Sequence, residues 1–187
     1  MEFIVIIQSQ LFTEAMNLYW DRGIKFTMDE LASRLCISKK TLYEMVHSKE
    51  DLIVQVVKFY FSGVADLQNA IHAESNLSAL EKLRKLLCAT PDFALRKVQL
   101  HELKMNYPDA FQVLDDKLRL GWEKTLAVLD QAKTEGSIRD IDNHLFSKIY
   151  AAAIEEIILD NENATNLTFR QQQEQIVDLL LFGICKR

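Results

Sequence analysis

Residues 38–41 place two hydroxyl side chains and two ammonium groups next to one another, as Ser38, Lys39, Lys40 and Thr41. Ammonium groups bind phosphate oxygens, and hydroxyl and ammonium groups also hydrogen-bond the edges of bases. The pattern predicts contacts to nucleic acid, with Lys40 and Thr41 at base edges and the Tyr43 hydroxyl at a phosphate. Two plainer interpretations stay open: the lysines form a solvated helix face, and Tyr43 belongs to a core.

Two short helices are predicted to carry these residues. Thr27-Met-Asp-Glu30 has the capping-box pattern, so a helix should run from about Met28 to Leu35. After a break at residues 36–37, Ser38 is placed to cap a helix from Lys39 to Val46. A preceding amphipathic helix, from about Gln8 to Arg22, completes a three-helix head.

The segment from Thr27 to His47 has the spacing of a helix-turn-helix unit. In such a unit one helix lies in the major groove of DNA while the other braces it. The cap residues Thr27 and Ser38 therefore join the candidate DNA contacts. His47 is as well explained as a helix-end residue, and Lys49, at the start of a fourth helix, is suited to a phosphate.

The charge of the chain restricts any DNA contact to a small area. The 187 residues carry a formal net charge of −5, and residues 1–52 hold six lysines and arginines against eight acids. A protein that binds nucleic acid along its whole surface would be basic. DNA binding must therefore depend on a few well-placed cations.

The remaining sequence predicts an all-α protein. Only two prolines and five glycines interrupt 187 residues, and apolar residues recur at helical spacing. A long helix from Lys49 and a helix capped at Ser78 are followed by one reaching about Asn106 and another from Pro108 to Gly136. Two strongly apolar helices, at about 142–160 and 168–185, are expected to pack as a pair across an exposed loop at 161–166. The total is about nine helices.

The head resembles the amino-terminal domain of TetR-type repressors. The resemblance covers Thr27–Ala32, Ile37–Tyr43 and Ser48–Leu52, with the preceding helix ending at Gly23. It implies a DNA-binding domain at residues 1–48 and an effector-binding and dimerisation domain at 49–187. It also implies a homodimeric, ligand-responsive repressor that leaves a pseudo-palindromic operator when a small effector binds.

The same resemblance places two sites in the rest of the chain. The last two helices would form the dimer interface, with candidates Ile149, Ala153, Ile157, Ile176, Leu180 and Gly183. Some aromatic, methionine and histidine side chains would line an effector cavity, although each fits a core position equally well. These candidates are His101, Met105, Tyr107, Phe111, Trp122 and Tyr150.

Two departures from the TetR pattern concern the head. Family members usually have glycine in the turn where this chain has Cys36, so a positive φ there would strain the backbone. They also commonly carry a cation ahead of the first helix, whereas residues 1–21 hold no lysine or arginine. An alternative function follows, that of a TetR-like regulator which binds another protein and has lost DNA binding.

Catalytic and metal chemistry are not predicted. The segment from His101 to Met105 resembles a zinc-protease motif but has methionine in place of the second histidine. The sequence has no Ser-His-Asp set, no Cys-His set and no glycine-rich phosphate loop, so we expect neither an enzyme nor a cofactor. Three widely spaced cysteines and no membrane-length apolar run favour a reduced, cytoplasmic protein without membrane association.

Overall fold

The computed structural model describes residues 2–89, 97–159 and 166–184, with side chains described at 8–89, 101–118, 121–157 and 166–183. Within these ranges the regular elements are ten α-helices and one 3₁₀ turn, so the prediction of an all-α fold is confirmed. No helix in the described ranges combines the length and apolarity needed to cross a membrane. The loop predicted at 161–166 lies, apart from its last residue, outside the described part.

The helices follow in the order that the capping and apolar patterns predict. They are α1 (Glu2–Arg22), a 3₁₀ turn (Gly23–Lys25), α2 (Met28–Arg34), α3 (Lys39–Met45), α4 (Lys49–Ala73), α5 (Ala79–Leu87), α6 (Lys97–Asn106), α7 (Pro108–Leu120), α8 (Glu123–Thr134), α9 (Asn143–Leu159) and α10 (Phe169–Ile184).

Two predicted boundaries were wrong. The first helix begins at Glu2, so the apolar residues before Gln8 extend it. The helix predicted from Pro108 to Gly136 is two helices, because Gly121 and Trp122 form a turn between α7 and α8. Glycine costs about 1 kcal/mol relative to alanine inside a helix, which favours a break at this position. The apolar spacing continues across the turn and concealed it.

The chain divides into two compact units. The first contains Met1–Ser62 and Val98–Lys117, and the second contains Gly63–Lys97 and Leu118–Arg187. This division follows packing, and the functional division at residue 48 stays a prediction. We call α1 to α3 the head, which lies in the first unit, and we call the second unit the body.

The core of the first unit forms where α1, α2 and α3 pack together. The inner face of α1 buries Leu11, Ala15 and Leu18 at helical spacing. Leu42 on α3 is fully buried, as is Val46 directly after it. Their burial fixes the rotation of α3 about its axis and leaves its opposite face in solvent.

The core of the body lies where α5, α8, α9 and α10 meet. Its fully buried large side chains include Leu83, Leu129, Phe146 and Ile138. A bidentate ion pair joins α5 to α10, with Arg84 Nε and Nη2 donating to the Asp178 carboxylate at 2.6 and 2.9 Å. The guanidinium lowers the pKa of Asp178. The predicted pairing of the last two helices is confirmed by the contacts between α9 and α10.

The turn between α2 and α3 is closed by Cys36, whose φ of 53° is left-handed. The Cys36 amide donates to the Ser33 carbonyl at 3.2 Å, and the Ile37 amide donates to the Ala32 carbonyl at 3.0 Å. These two bonds define a Schellman motif. The condition stated for strain is therefore met, and a residue with a Cβ atom is strained in this conformation by roughly 1–2 kcal/mol.

The same motif ends α8, where glycine occupies the equivalent position. Gly136 has φ 73°, its amide donates to the Lys133 carbonyl at 2.9 Å, and the Ser137 amide donates to Ala132 at 3.0 Å. Cys36 and Gly136 are thus a strained and an unstrained example of the same turn type.

Exchanging the two residue types should change stability in opposite directions. We expect Cys36→Gly to raise the free energy of unfolding by a net of roughly 0.5–1 kcal/mol, because the lost strain exceeds the extra entropy of glycine in the unfolded chain. Gly136→Ala should lower it by a similar amount. Urea unfolding with an unchanged m-value measures both. A lower midpoint for Cys36→Gly would show that the thiol makes a stabilising contact larger than the strain.

Candidate nucleic-acid interface

The amino end of α3 is organised by the cap that the sequence predicts. Ser38 Oγ accepts the amide N–H of Thr41 at 3.0 Å and shares a hydrogen bond of 2.8 Å with the Thr41 hydroxyl. Lys39, Lys40, Thr41 and Tyr43 are all exposed on α3. The structure therefore leaves all four of these predicted contacts exposed to solvent, and Tyr43, 41% exposed, is not a core residue.

A complete capping box begins α2. Thr27 Oγ1 accepts the Glu30 amide at 3.1 Å, while Glu30 Oε2 accepts the Thr27 amide at 2.8 Å. Accepting this backbone N–H, helped by nearby Arg22, lowers the pKa of Glu30. Thr27 itself is exposed, and its side chain also serves α2 as a cap.

His47 lies just beyond α3, where the chain turns into α4. Its backbone amide donates to Asp51 Oδ2 at 3.0 Å, and the Asp51 amide donates to Ser48 Oγ at 3.0 Å. These bonds cap α4 where the sequence predicts a helix to begin, at Lys49. The His47 residue is exposed, as a surface contact requires.

Four cations of the head pair with acids of the same unit. Arg22 pairs with Glu30 at 2.9 Å, and Arg34 pairs with Asp21 at 3.2 Å and with Glu14 at 3.6 Å. Two further pairs involve α3 itself. In these Lys39 contacts Asp29 at 2.8 Å, and Lys40 lies 3.9 Å from Glu44. The surface is consequently less positive than its lysines and arginines alone would make it.

Lys49 differs from the lysines of α3 because its ammonium group points into the unit. It donates to the carbonyl oxygens of Ile24 and Phe26 and lies 4.2 Å above the centre of the Phe26 ring. Burial lowers its pKa. The same turn is bonded by Glu102 of α6, which accepts the Ile24 amide at 3.4 Å. Lys49 and Glu102 thus brace the 3₁₀ turn that leads into α2.

The predicted effector residues fall in both units. His101 and Met105 are exposed on α6, Met105 by 67%, and Tyr107 and Phe111 are half-buried in the same unit. Trp122 and Tyr150 lie together in the body, in an edge-to-face contact with ring centres 5.4 Å apart. The six residues therefore do not form one cluster within either unit.

The body also holds a buried polar group that sequence reasoning missed. Gln173 on α10 is 0% exposed and its Nε2 donates to the Leu87 carbonyl at 3.0 Å and to the Tyr150 hydroxyl at 2.9 Å. Tyr150 donates to the same Leu87 carbonyl. A glutamine among the apolar residues of α10, at the spacing of Val177 and Leu181, was the available signal.

The first unit contains a cavity of about 550 Å³ at the start of α4 and α7. Its lining residues are Ser48, Glu50, Asp51, Val54, Tyr107, Pro108, Asp109 and Ala110. Tyr107 is the one predicted effector residue among them. Carboxylates favour the first turn of a helix, which accounts for the acids of this lining without a ligand.

An exposed apolar surface covers part of α9 and α10. Leu179 and Phe182 on α10 are 73% and 79% exposed, and Leu145 and Ile149 on α9 are 51% and 43% exposed. Of the predicted interface residues, Ile149 and Gly183 are exposed, whereas Ala153, Ile157, Ile176 and Leu180 are half-buried. Sequence reasoning missed Leu145, Leu179 and Phe182, because helical period alone does not say which apolar stripe faces the core.

The head has the architecture of a helix-turn-helix DNA-binding domain, and comparisons with known proteins agree. No family model matches the sequence. The chain is 31% identical over 182 residues to the HTH-type transcriptional regulator YvaF of Bacillus subtilis (strain 168), covering 95% of both chains. The chain therefore belongs to the HTH-type transcriptional regulators, which are not enzymes, and its fold is that of the TetR family.

Solved structures of two regulators have the same fold. The ketosteroid transcriptional regulator KstR2 of Mycobacterium tuberculosis superposes with a TM-score of 0.68 at 22% identity, covering 96% of this chain and 95% of that one. AibR in complex with isovaleryl coenzyme A and operator DNA gives a TM-score of 0.68 at 18% identity, covering 94% and 98%.

The bracing position of Lys49 leads to a stability prediction. Lys49→Met keeps most of the apolar stem but leaves two partly buried carbonyls without their donor, so the free energy of unfolding should fall by about 1 to 3 kcal/mol. Lys25→Met, at an exposed cation in the same turn, should change it by less than about 0.5 kcal/mol. Urea unfolding compares the two. Equal effects would contradict the bracing role.

Proposed function

We propose that this protein is a ligand-responsive repressor that binds a pseudo-palindromic operator as a homodimer and is released by a small effector. The observation that carries the proposal is the solvent exposure of Lys39, Lys40, Thr41 and Tyr43 on α3, a helix that buried Leu42 anchors in the unit. A DNA-reading helix needs this arrangement, in which one face is anchored in the unit and the other meets base edges.

In this proposal the roles of the surface residues differ. Lys40 and Thr41 contact base edges, while Lys39 and the Tyr43 hydroxyl bind phosphates. Two subunits place their α3 helices in successive major grooves about 34–36 Å apart. The side chains of Thr27 and Ser38 cap α2 and α3 and so position the backbone of the motif. Both residues are exposed, as is His47, and in this proposal all three also contact phosphates.

A second candidate function is favoured by the ion pairs of the head. Arg22, Arg34, Lys39 and Lys40 each lie within 4 Å of a carboxylate. A TetR-like regulator that binds a protein partner instead of DNA would not need these cations free. The two candidates differ in one measurable property, which is affinity for a defined duplex.

Selection from random-sequence DNA at low salt separates the two functions. We expect an enriched inverted repeat whose half-sites are one helical turn apart. With that duplex, Lys39→Ala should weaken binding and lower its salt dependence, and Thr41→Ala should relax the preference at one base position. Lys25→Ala, outside α3, is the control and should change binding less. If no inverted repeat is enriched, the repressor proposal fails and the protein-binding alternative gains support.

The homodimer is supported by the exposed apolar surface of α9 and α10. Leu179 and Phe182 lie on the side of α10 opposite its buried residues Val177 and Leu181, and so present large apolar side chains to solvent. Patches of this kind mark interaction sites. We infer that a second copy of the chain covers them, with Ile149, Ala153, Ile157, Ile176, Leu180 and Gly183 in the same interface.

Placing a charge in this surface should separate the subunits. A Cβ atom at Gly183 would meet nothing within 4 Å, so Gly183→Arg fits the single chain but buries an unpaired charge in a dimer. Gly63 on α4 has equally open space, which makes Gly63→Arg a matched control. Light scattering should give the mass of one chain for Gly183→Arg and of two for Gly63→Arg and wild type. A dimeric Gly183→Arg would place the interface elsewhere.

The effector site is proposed from one solved structure of the same fold and from two aromatic residues of the body. AibR was solved with both isovaleryl coenzyme A and operator DNA, so a regulator with this fold can hold both. In this chain we place the effector beside Trp122 and Tyr150, the members of the predicted set that lie together in the body. A ligand that binds better to the arrangement unsuited to the operator shifts the population off DNA. The chain would act in the cytoplasm, with its operator.

A further inference from the structure

The first residue of α3 is tied to α2 by an ion pair. Lys39 Nζ lies 2.8 Å from Asp29 Oδ1 and 3.0 Å from Asp29 Oδ2, so the ammonium contacts both carboxylate oxygens. The hydrogen bond that Lys39 donates to the Asp29 carboxylate raises the pKa of Lys39. The two side chains are 54% and 67% exposed, which places the pair on the solvent side of the helix-turn-helix.

This ion pair differs from the other ion pair of α3 in its length and in the helix that supplies the carboxylate. Lys40 lies 3.9 Å from Glu44, which is on the same helix, and its side chain is 88% exposed. Asp29 belongs to the preceding helix, and its contacts with Lys39 are about 1 Å shorter. Lys39 is therefore the lysine of α3 that is held by another element of the motif.

A phosphate bound by Lys39 would lie next to this carboxylate. Charge-assisted N–H···O bonds are about 2.7–2.9 Å long, so two anions on one ammonium are within about 6 Å of each other. That separation is shorter than the Debye length of about 8 Å at physiological salt, so the ions of the solution do not screen the repulsion fully. A phosphate that binds Lys39 must therefore displace the Asp29 carboxylate or bind beside it against electrostatic repulsion.

We propose that Asp29 competes with DNA phosphate for the Lys39 ammonium group and thereby lowers both the affinity for DNA and its salt dependence. This inference rests on the proposed DNA binding. Asp29 is then a residue of the binding surface that weakens binding, because it reduces the net attraction between the Lys39 ammonium and the DNA phosphate.

The salt dependence follows from counterion release. Each phosphate neutralised by a protein cation frees about 0.9 of a condensed cation from duplex DNA. When Lys39 moves to a phosphate, the carboxylate of Asp29 loses its partner and attracts a cation from solution. The net release is reduced, so the slope of log K against log salt is shallower than the contact would otherwise give.

The competition is modest, because exposed ion pairs contribute little. The interaction energies that double-mutant cycles measure for such pairs correspond to a factor of about 1.5 to 5 in an equilibrium constant. An effect of this size weakens binding without abolishing it. It is measurable when affinity is recorded over a range of salt concentrations.

The experiment measures binding to the selected duplex between 50 and 200 mM KCl for full-length variants. Asp29→Asn should bind roughly 1.5- to 5-fold more tightly per subunit at low salt and give a slope steeper by at most about 0.9 per subunit. Asp66→Asn, at an exposed acid on α4, makes the same change in net charge and should leave the slope unchanged. Circular dichroism checks that each variant is folded.

A double-mutant cycle with Lys39→Ala identifies the mechanism. If Asp29 acts through Lys39, Asp29→Asn should give no gain in affinity when residue 39 is alanine. A gain that persists there would mean general repulsion and overturn the proposal, as would an Asp29→Asn slope equal to that of wild type. If wild type binds no duplex at all, the proposed function fails instead, which is a different result from binding with an unchanged slope.

Discussion

The left-handed turn at Cys36 is the constraint on which the exposed surface of α3 depends. Two backbone bonds, from Cys36 to Ser33 and from Ile37 to Ala32, end α2 and turn the chain within four residues. The direction of this turn decides that Leu42 enters the core and that Thr41 does not. A right-handed or extended backbone at residue 36 would rotate α3, and the same side chains would then point elsewhere. The left-handed conformation at this position, which costs strain in a residue with a Cβ atom, thus sets the geometry of the whole motif.

The head carries positive side chains but has a negative net charge. Acids on α1 and α2 contact arginines and lysines over short distances, so the field around the head is weaker than the number of its cations would give. Affinity for DNA in such a protein must depend more on close contacts at a few positions than on long-range electrostatic attraction. The unusual sequence of residues 1–21, without a lysine or arginine, fits the same description.

The sequence predicted those parts of the structure that depend on neighbouring residues. The caps at Thr27, Ser38 and Ser78 involve residues three apart, and all three were confirmed. The break at Gly121 was missed because the apolar period continues through it. The ion pair of Asp29 with Lys39 and the exposure of Leu179 depend on how whole helices are arranged. No local spacing contains that information.

The polar contacts at the end of α5 have an evolutionary consequence. Tyr150 and Gln173 both donate to the carbonyl oxygen of residue 87, and every amino acid has that oxygen. Substitutions at position 87 can therefore exchange one apolar side chain for another without removing the acceptor. Selection on this junction would act on the two donors, which lie on α9 and α10. Related proteins should accordingly retain this pair of donors together or lose them together, whatever residue ends α5.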